Sequence, residues 1–180
     1  MPPAKVMIIR HAEKPGEGRD GIGPDGRPDE ESLSVPGWRR SGALVRFFAP
    51  VDGHFARPGI AKPEMIFASR VGPGSMSKRP YQTVAPLARF LGLTVEQSWL
   101  YQQTNELAAA VVESTGVLLV SWEHKVIREL VAALIGSAPF VPEWPDSRFD
   151  MVYVLDRVGA SWSLTQVPQL LFTDDSMAPF

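Results

Sequence analysis

Residues 5–14 of the chain read Lys5-Val6-Met7-Ile8-Ile9-Arg10-His11-Ala12-Glu13-Lys14. The apolar run from Val6 to Ile9 is unbroken, which predicts a strand buried on both faces of a sheet. The run stops at Arg10 and His11, and ligands of open α/β sheets bind at the carboxyl ends of such strands. An arginine there supplies a fixed cation, and a histidine supplies an imidazole that can be neutral near pH 7. We interpret Arg10 and His11 as an anion-binding group beside a nucleophile; the alternative is a pair of surface residues in a turn.

The composition is that of an ordinary soluble globular protein. Its 180 residues predict a single domain spanning residues 1–180. The formal net charge of -2 argues against nucleic acid or an anionic membrane as a partner, because such partners select basic proteins. Cysteine is absent, which excludes disulfides, thiolate metal ligands and cysteine nucleophiles. No signal peptide or membrane span is apparent, so we expect a cytoplasmic protein.

Short apolar runs alternate with amphipathic stretches along most of the chain. Strands are predicted at 6–9, 65–68, 93–97, 117–120, 151–155 and 162–166, and helices at about 35–48, 79–90, 106–114 and 126–135. Ser34 is expected to cap the first helix and Thr104 or Asn105 the third, while Pro86 should kink or divide the second. This alternation predicts an α/β fold whose sheet is mainly parallel, with an antiparallel edge strand or hairpin.

The irregular segments between these elements are rich in glycine and proline. Residues 15–31 form a long polar loop beside Arg10 and His11, which is either a lid over the site or a plain surface loop. Residues 51–63, which carry His54, and residues 71–75 are also predicted as loops, and we expect substrate specificity to reside in these three segments. Residues 139–147 are predicted to be a proline-rich connection, and the tail from Pro168 a loop.

Three of the predicted strands are each followed by residues that suit phosphoryl chemistry. The first ends in Arg10 and His11, the second leads to Arg79 at a helix start, and the third ends in Glu123 and His124 at another helix start. Helix N-termini favour a bound anion. If these strands are neighbours, both arginines can hold the oxygens of a phosphoryl group while one histidine attacks it and the other donates to it.

The alkoxide that leaves a phosphate ester also needs a proton, so a carboxyl group must stand nearby. The candidates are Glu106, Glu13 and Glu123. Each has an alternative explanation: Glu106 can interact with a helix dipole, Glu13 can form a salt bridge, and Glu123 can be a solvated charge at a strand end.

Four stretches, in the same order along the chain, resemble the histidine phosphatase superfamily, whose members include the cofactor-dependent phosphoglycerate mutases. Arg10-His11-Ala12-Glu13 resembles the Arg-His-Gly signature of that family. The other three are residues 33–40, similar to its Leu-Thr-x-x-Gly helix entry, residues 77–83, similar to its Ser-x-Arg-Ala-x-Gln-Thr segment, and His124, similar to its second histidine. The resemblance spans roughly residues 5–135.

The resemblance implies a phosphoglycerate mutase-like three-layer αβα sandwich and assigns roles to six residues. His11 would be the phosphorylated nucleophile, and Arg10, Arg79 and His124 would form the phosphate pocket. Glu106 stands about where the phosphoglycerate-mutase-like branch has its proton-donating glutamate, and Glu13 is the second candidate. The chain departs from the family pattern at Ala12, at residues 71–75, which look inserted, and at Trp122-Glu123, which bring a ring and a carboxylate to the site.

These observations predict a metal-independent phosphatase that needs no cofactor and acts on a small-molecule phosphate ester or another phosphorylated substrate. One alternative is a mutase, which returns the phosphoryl group to a substrate instead of water. The other is a non-catalytic module that binds a phosphorylated ligand. A metal site made of His11, His54 and His124 is disfavoured, because none of their spacings is that of a short-range ligand pair.

Overall fold

The computed structural model describes residues 3–16, 18–136, 141–159 and 161–180. Its strands are β1 (Lys5–Arg10), β2 (Met65–Ala68), β3 (Val95–Glu96), β4 (Val117–Trp122), β5 (Met151–Val158) and β6 (Ser161–Pro168). Its helices are α1 (Val35–Phe48), α2 (Arg79–Leu91), α3 (Thr104–Glu113) and α4 (Ile127–Ile135), and a short 3₁₀ helix, His124–Val126, precedes α4. Within these described ranges, every helix is too short or too polar to cross a membrane.

The strands form one sheet in the order β3-β2-β4-β1-β5-β6. The pairs β3·β2, β2·β4 and β4·β1 are parallel, whereas β5 runs antiparallel to β1 and β6 antiparallel to β5. The predicted α/β architecture, a mainly parallel sheet with an antiparallel hairpin at one edge, is confirmed.

The central strand β1 contributes side chains to two separate cores. Val6 and Ile8 pack with residues of α3 and α4 on one face of the sheet, and Met7 and Ile9 pack with residues of α1 and α2 on the other. All four side chains are 0 % exposed. Because each buried aliphatic side chain stabilises the fold by roughly 1.5–3 kcal/mol, a strand covered on both faces has no reason to alternate with polar residues. The three-layer αβα arrangement follows from this burial.

Helix α2 runs without division through Pro86. A proline in a helix cannot donate to the carbonyl four residues earlier, which here belongs to Gln82. The hydroxyl of Ser41 in α1 lies 2.8 Å from that carbonyl and 3.0 Å from the carbonyl of Thr83, so α1 supplies the missing donor. Of the two effects predicted for Pro86, a kink or a division, the structure excludes the division, and the hydroxyl of Ser41 satisfies the carbonyl that the proline leaves without a donor.

The ends of several elements also differ from the sequence-based expectation. Ser34 caps α1 as predicted and accepts a hydrogen bond from the amide of Gly37 (3.3 Å). Helix α3 begins earlier than predicted, at Thr104, and Gln103 at its N-cap makes no capping hydrogen bond, so neither Thr104 nor Asn105 is the cap. Strand β3 is shorter than predicted and the β5–β6 hairpin is longer. Part of the expected 139–147 connection, residues 139 and 140, lies outside the described residues.

The β5–β6 hairpin is longer because Asp156, Arg157 and Val158, which follow the predicted strand, continue it. Asp156 pairs in register with Lys5 of β1, and the two side chains form an ion pair with an N–O distance of 2.5 Å. Arg157 lies over the ring of Trp162 in β6, 5.4 Å from its centroid. Charged residues are thus tolerated where the strand leaves the core.

Candidate active site

The carboxyl ends of β1 and β4 lie side by side and bring the two predicted histidines together. Arg10 is in register with Trp122, and the amide of His11 donates to the carbonyl of Trp122 at 3.1 Å. His124 follows Trp122 by two residues, and α2 begins with Arg79 after neighbouring β2 ends at the same edge. The structure therefore places Arg10, His11, Arg79 and His124 at one edge of the sheet.

Arg10 is buried and presents part of its guanidinium group without a partner. Its Nη1 donates to the carbonyls of Pro145 (3.1 Å), Asp146 (2.7 Å) and Arg148 (3.0 Å), and its guanidinium carbon lies 3.9 Å from the ring centroid of Phe149. Its Nε and Nη2 are buried and have no hydrogen-bond partner among the described residues. Burial lowers the pKa of Arg10 to about 10, so the group remains charged at neutral pH. Buried donors are nearly always paired, so two free ones indicate space for an oxyanion.

His11 is 4 % exposed, and the backbone fixes which ring nitrogen carries the proton. Its Nδ1 lies 2.8 Å from the carbonyl of Ala12. Because a carbonyl only accepts, Nδ1 is the donor and Nε2 of the neutral ring keeps its lone pair. Burial lowers the pKa of His11 well below its ordinary value, and the positive charges of Arg10, Arg79 and His124 lower it further, against the opposing hydrogen bond to Ala12. The ring is therefore neutral at pH 7, with a nucleophilic Nε2.

The backbone after β1 is tied to the starts of two helices. The amide of Ala12 donates to Thr83 Oγ1 (2.8 Å), which itself donates to the carbonyl of Arg79 (2.8 Å). Both the amide and the hydroxyl of Ser34 donate to the carbonyl of Glu13, at 3.0 Å each. A Cβ atom on Gly37 would stand 2.4 Å from the same carbonyl, so α1 can approach this closely only with glycine there. These contacts hold His11 and Arg79 in a fixed relation.

Arg79 is the first residue of α2, and the loop of residues 15–31 engages its outer edge. Its Nη1 donates to the carbonyl of Glu30 (2.7 Å), and its Nη2 lies 3.8 Å from Oε2 of Glu31. Its Nε is buried without a partner among the residues described. Burial lowers the pKa of Arg79, while the nearby carboxylates of Glu31 and Glu123 oppose that shift. The loop thus lies directly beside the cluster.

His124 pairs with a residue that the sequence did not single out, Asp146. Nε2 of His124 forms a short hydrogen bond with the carboxylate of Asp146, and its Nδ1 is buried with no partner among the described residues. Burial and the charge of Arg10 lower the pKa of His124, and the carboxylate of Asp146 counteracts them. The unpartnered Nδ1 is the atom of this ring that remains available to a ligand.

The segment 144–149, which precedes β5, is the part of the site that sequence reasoning missed. It surrounds Arg10 with three backbone carbonyls, places the ring of Phe149 6.2 Å from that of His11, and supplies Asp146. A backbone carbonyl has no side-chain signature, and these contacts span 135 to 138 residues of sequence. In the sequence, the only indication that this segment belongs to the site is the presence of acidic and aromatic residues in and just after the predicted proline-rich connection.

The three candidate glutamates occupy different surroundings. Glu13 is buried, and its Oε1 accepts from Nε of Arg40 (2.8 Å), which also pairs with Asp175 (2.7 Å). Glu123 accepts a hydrogen bond from the hydroxyl of Ser75, which anchors the loop 71–75 to the site. Glu106 is exposed in the first turn of α3, the helix that follows β3, and β3 runs parallel to β2.

A cleft beside the cluster carries both basic residues and the acidic residues Asp20, Asp29 and Glu30. This cleft of about 590 Å³ is lined by Lys14, Arg19 and Arg79 together with residues of the 15–31 loop. By contrast, His54 lies in the loop between α1 and β2, its side chain 88 % exposed and 3.7 Å from Asp52. Among the residues that the structure describes, no group of three or more His, Cys, Asp or Glu side chains is arranged to hold a metal ion.

Three solved structures illustrate what this fold is similar to. The alpha-ribazole phosphatase from Shigella flexneri is 14% identical with a TM-score of 0.56, over 91% of this chain and 96% of the other. The mycobacterial glucosyl-3-phosphoglycerate phosphatase in complex with VO3 is 15% identical with a TM-score of 0.57, over 90% and 97%. The protein histidine phosphatase SixA complexed with tungstate is 17% identical with a TM-score of 0.55, over 92% and 97%.

These neighbours establish the fold. The mixed six-stranded sheet with four helices is the phosphoglycerate mutase-like fold of the histidine phosphatases, as the sequence motifs predicted. No protein-family model matches the sequence, and no curated protein matches it. At these identities the likeness concerns architecture, so the chemistry rests on the residues of the chain itself.

Proposed function

We propose that the protein is a metal-independent phosphatase that hydrolyses phosphomonoesters through a phosphohistidine intermediate on His11. The observation that carries this proposal is the set of buried, unpartnered polar groups around one nucleophilic nitrogen. They are Nε and Nη2 of Arg10, Nε of Arg79 and Nδ1 of His124. Such groups are costly to bury without a partner, and a tetrahedral oxyanion would satisfy the arginine nitrogens directly and Nδ1 of His124 when that ring is protonated.

In the first half of the reaction, the lone pair of His11 Nε2 attacks phosphorus and the bond from phosphorus to the ester oxygen breaks. The arginines neutralise the non-bridging oxygens while the attacking and leaving atoms stand in line. The leaving oxygen takes a proton from a carboxylic acid, and its departure leaves the phosphoryl group on His11.

In the second half, the same carboxylate removes a proton from water, which attacks phosphorus and breaks the bond to His11 Nε2. We assign this acid and base role to Glu106, because α3 follows β3, and the parallel strands β3, β2, β4 and β1 end at the edge of the sheet where the cluster lies. Glu13 remains the second candidate, although its Oε1 is engaged by Arg40. The products are inorganic phosphate and an alcohol.

The proposed activity is tested with an aryl phosphate in the presence of a strong metal chelator. We expect turnover to persist in the chelator and inorganic phosphate to be released in step with the phenol. Phosphate binding without turnover would instead favour the non-catalytic module. Transfer of the phosphoryl group to an added alcohol, with little free phosphate, would favour the mutase.

The assignment of the acid predicts a dependence on the leaving group. Glu106→Gln should lower kcat/KM for an alkyl phosphate about 10²-fold and leave kcat/KM for an activated aryl phosphate nearly unchanged, because kcat/KM reports formation of the phosphohistidine and only the poor leaving group needs protonation in that step. The comparison is the ratio of kcat/KM values for the two substrates, because dephosphorylation, which also uses the carboxylate, is common to both. Glu113→Gln is the matched control, since Glu113 is an exposed glutamate at the far end of the same helix.

Glu13→Gln distinguishes the second candidate in the same assay. If Glu13→Gln alone lowers the alkyl-to-aryl ratio, the acid is Glu13 and the assignment of Glu106 is wrong. If neither substitution changes the ratio, both assignments fail. Thermal unfolding of each variant is measured first, because the glutamine at position 13 also loses an ion pair with Arg40.

A further inference from the structure

The pair formed by His124 and Asp146 is the feature of the site that the proposed reaction leaves unexplained. The side chain of His124 is only 8 % exposed, whereas that of Asp146 is 78 % exposed, so the carboxylate reaches in from the solvent side. Asp146 also supplies one of the carbonyls that bind Arg10 Nη1, at 2.7 Å. One residue therefore contacts two of the cationic groups of the cluster, through its backbone and through its side chain.

The pairing decides what His124 can offer a phosphate. Because a carboxylate only accepts, Nε2 of His124 is the donor in this bond. A neutral ring would then present a bare lone pair at Nδ1, and the oxygens of a phosphate are also acceptors. His124 can donate to a phosphoryl oxygen through Nδ1 only when both ring nitrogens carry protons, that is, as an imidazolium.

The surroundings otherwise oppose that charge. Burial of the ring is the largest cause of the lowered pKa of His124, and the charges of Arg10 and Lys14 lower this pKa further. The carboxylate of Asp146 raises it. The titratable groups around the ring are Arg10, His11 and Lys14 from β1 and the loop after it, Glu143 and Asp146 from the segment before β5, and Glu123, Lys125, Arg128 and Glu129 from its own turn and helix. Of the acidic groups, Asp146 is the one hydrogen-bonded to the ring.

We infer that Asp146 is a positioning residue that holds the ring of His124 through Nε2 and stabilises its imidazolium form, so that Nδ1–H can donate to the oxygens of a bound phosphoryl group. The inference rests on the proposed function for its role in turnover, although the state of the ring is measurable without it. Asp146 acts through His124 and through the orientation of Arg10, and touches neither the attacking nor the leaving atom.

The direct test is a nuclear magnetic resonance titration of the histidine side chains in the wild type and in Asp146→Asn. The chain contains only three histidines, His11, His54 and His124, so the ring signals can be assigned by substitution. Asparagine preserves the backbone carbonyl that binds Arg10 and removes the charge. We expect the pKa of His124 to fall by about one unit and its nitrogen shifts to lose the preference for a protonated Nε2.

A matched control is available on the other side of the molecule. Asp52 also faces a histidine, His54, but both are exposed in the loop between α1 and β2. Asp52→Asn should leave the titration of His124 and the pH profile of turnover unchanged. An Asp146→Asn protein in which His124 titrates as in the wild type would overturn the inference.

The pH dependence of kcat/KM supplies the second readout. As pH rises, kcat/KM should fall when His124 loses its proton. In Asp146→Asn this fall should begin about one pH unit lower than in the wild type. At higher pH, kcat/KM of the variant should then be about tenfold below that of the wild type. At acidic pH the variant should approach the wild type, and Asp146→Glu should restore part of the alkaline limb. A loss that is uniform across pH would mean that Asp146 serves only the fold, and would overturn the inference.

The two proposals fail in different ways. If wild-type protein turns over no phosphate ester, while added inorganic phosphate still raises the pKa of His124 and does so less in Asp146→Asn, the phosphatase proposal fails and the role of Asp146 stands. If the wild type is an active phosphatase and Asp146→Asn has the same pH profile as the wild type, the role proposed for Asp146 fails and the phosphatase proposal stands.

Discussion

Replacing His11 with glutamine is expected to lower kcat for an aryl phosphate by at least about 10⁴-fold. Nδ1 of this imidazole is committed to the carbonyl of Ala12, which leaves the lone pair of Nε2 for attack on phosphorus. Glutamine keeps a polar side chain of similar length but has no nucleophilic nitrogen. The arginines remain in place, so we expect phosphate or vanadate still to bind, as seen by competition or by calorimetry.

The matched control is His54→Gln, because His54 is the one histidine with a largely exposed side chain. That variant should retain the wild-type rate. A second readout is the intermediate itself: rapid acid-free quenching of the wild type during turnover should trap one phosphoryl group per chain on histidine, and the His11→Gln variant should trap none. A His11→Gln protein with a rate within tenfold of the wild type would contradict the nucleophile assignment.

The parts of the fold that the sequence predicted are those decided by burial. Val6 to Ile9 and Leu118 to Val120 are unbroken apolar runs because helices cover both faces of their strands, and runs this short favour a strand over a helix. Ser34 and Pro36 mark the start of α1 because capping is a local interaction. Where a rule depends on immediate neighbours or on burial of whole strands, the sequence is informative.

The parts that it did not predict depend on contacts between distant residues. At Pro86, the hydroxyl of Ser41 donates to the helix carbonyl that the proline leaves unpaired, and no residue near Pro86 in the sequence predicts that contact. The enclosure of Arg10 depends on three backbone carbonyls of the segment 144–149 and on the ring of Phe149, which are all distant from Arg10 in the sequence. Local sequence patterns do not predict such interactions, because neither partner lies in a stretch of sequence that indicates the contact.

The candidate site divides in the same way. Arg10, His11, Arg79 and His124 could be named because parallel strands deliver their carboxyl ends to one edge, which makes strand-end residues neighbours. Asp146 could not be named, because it lies on an irregular segment that no periodicity locates. Sequence spacing likewise does not decide among Glu106, Glu13 and Glu123, because it gives the order of residues along the chain and not the orientation of their carboxylates.

Replacing Arg10 with lysine is expected to lower kcat about 10³-fold, the upper end of the cost of losing one positioned donor to a transition state. Arg10 uses Nη1 for three carbonyls and still leaves Nε and Nη2 free on the same rigid plane. A lysine has one nitrogen with three protons, so it cannot bind the segment 144–149 and hold two phosphoryl oxygens at once. Its point charge preserves attraction for the anion, so KM should change less than kcat.

The control is Arg46→Lys, because Arg46 also stacks on an aromatic ring, that of Phe90 at 4.7 Å, but lies in the last turn of α1 away from the cluster. Both variants are assayed at a temperature where thermal unfolding shows each fully folded, since Arg10→Lys leaves buried carbonyls short of donors and loses stability by about 1–3 kcal/mol. If kcat of folded Arg10→Lys stays within a factor of about three of Arg46→Lys, Arg10 serves only to hold the segment 144–149. A large fall in kcat with little change in KM means instead that the free face of the guanidinium group binds the transition state more tightly than the substrate.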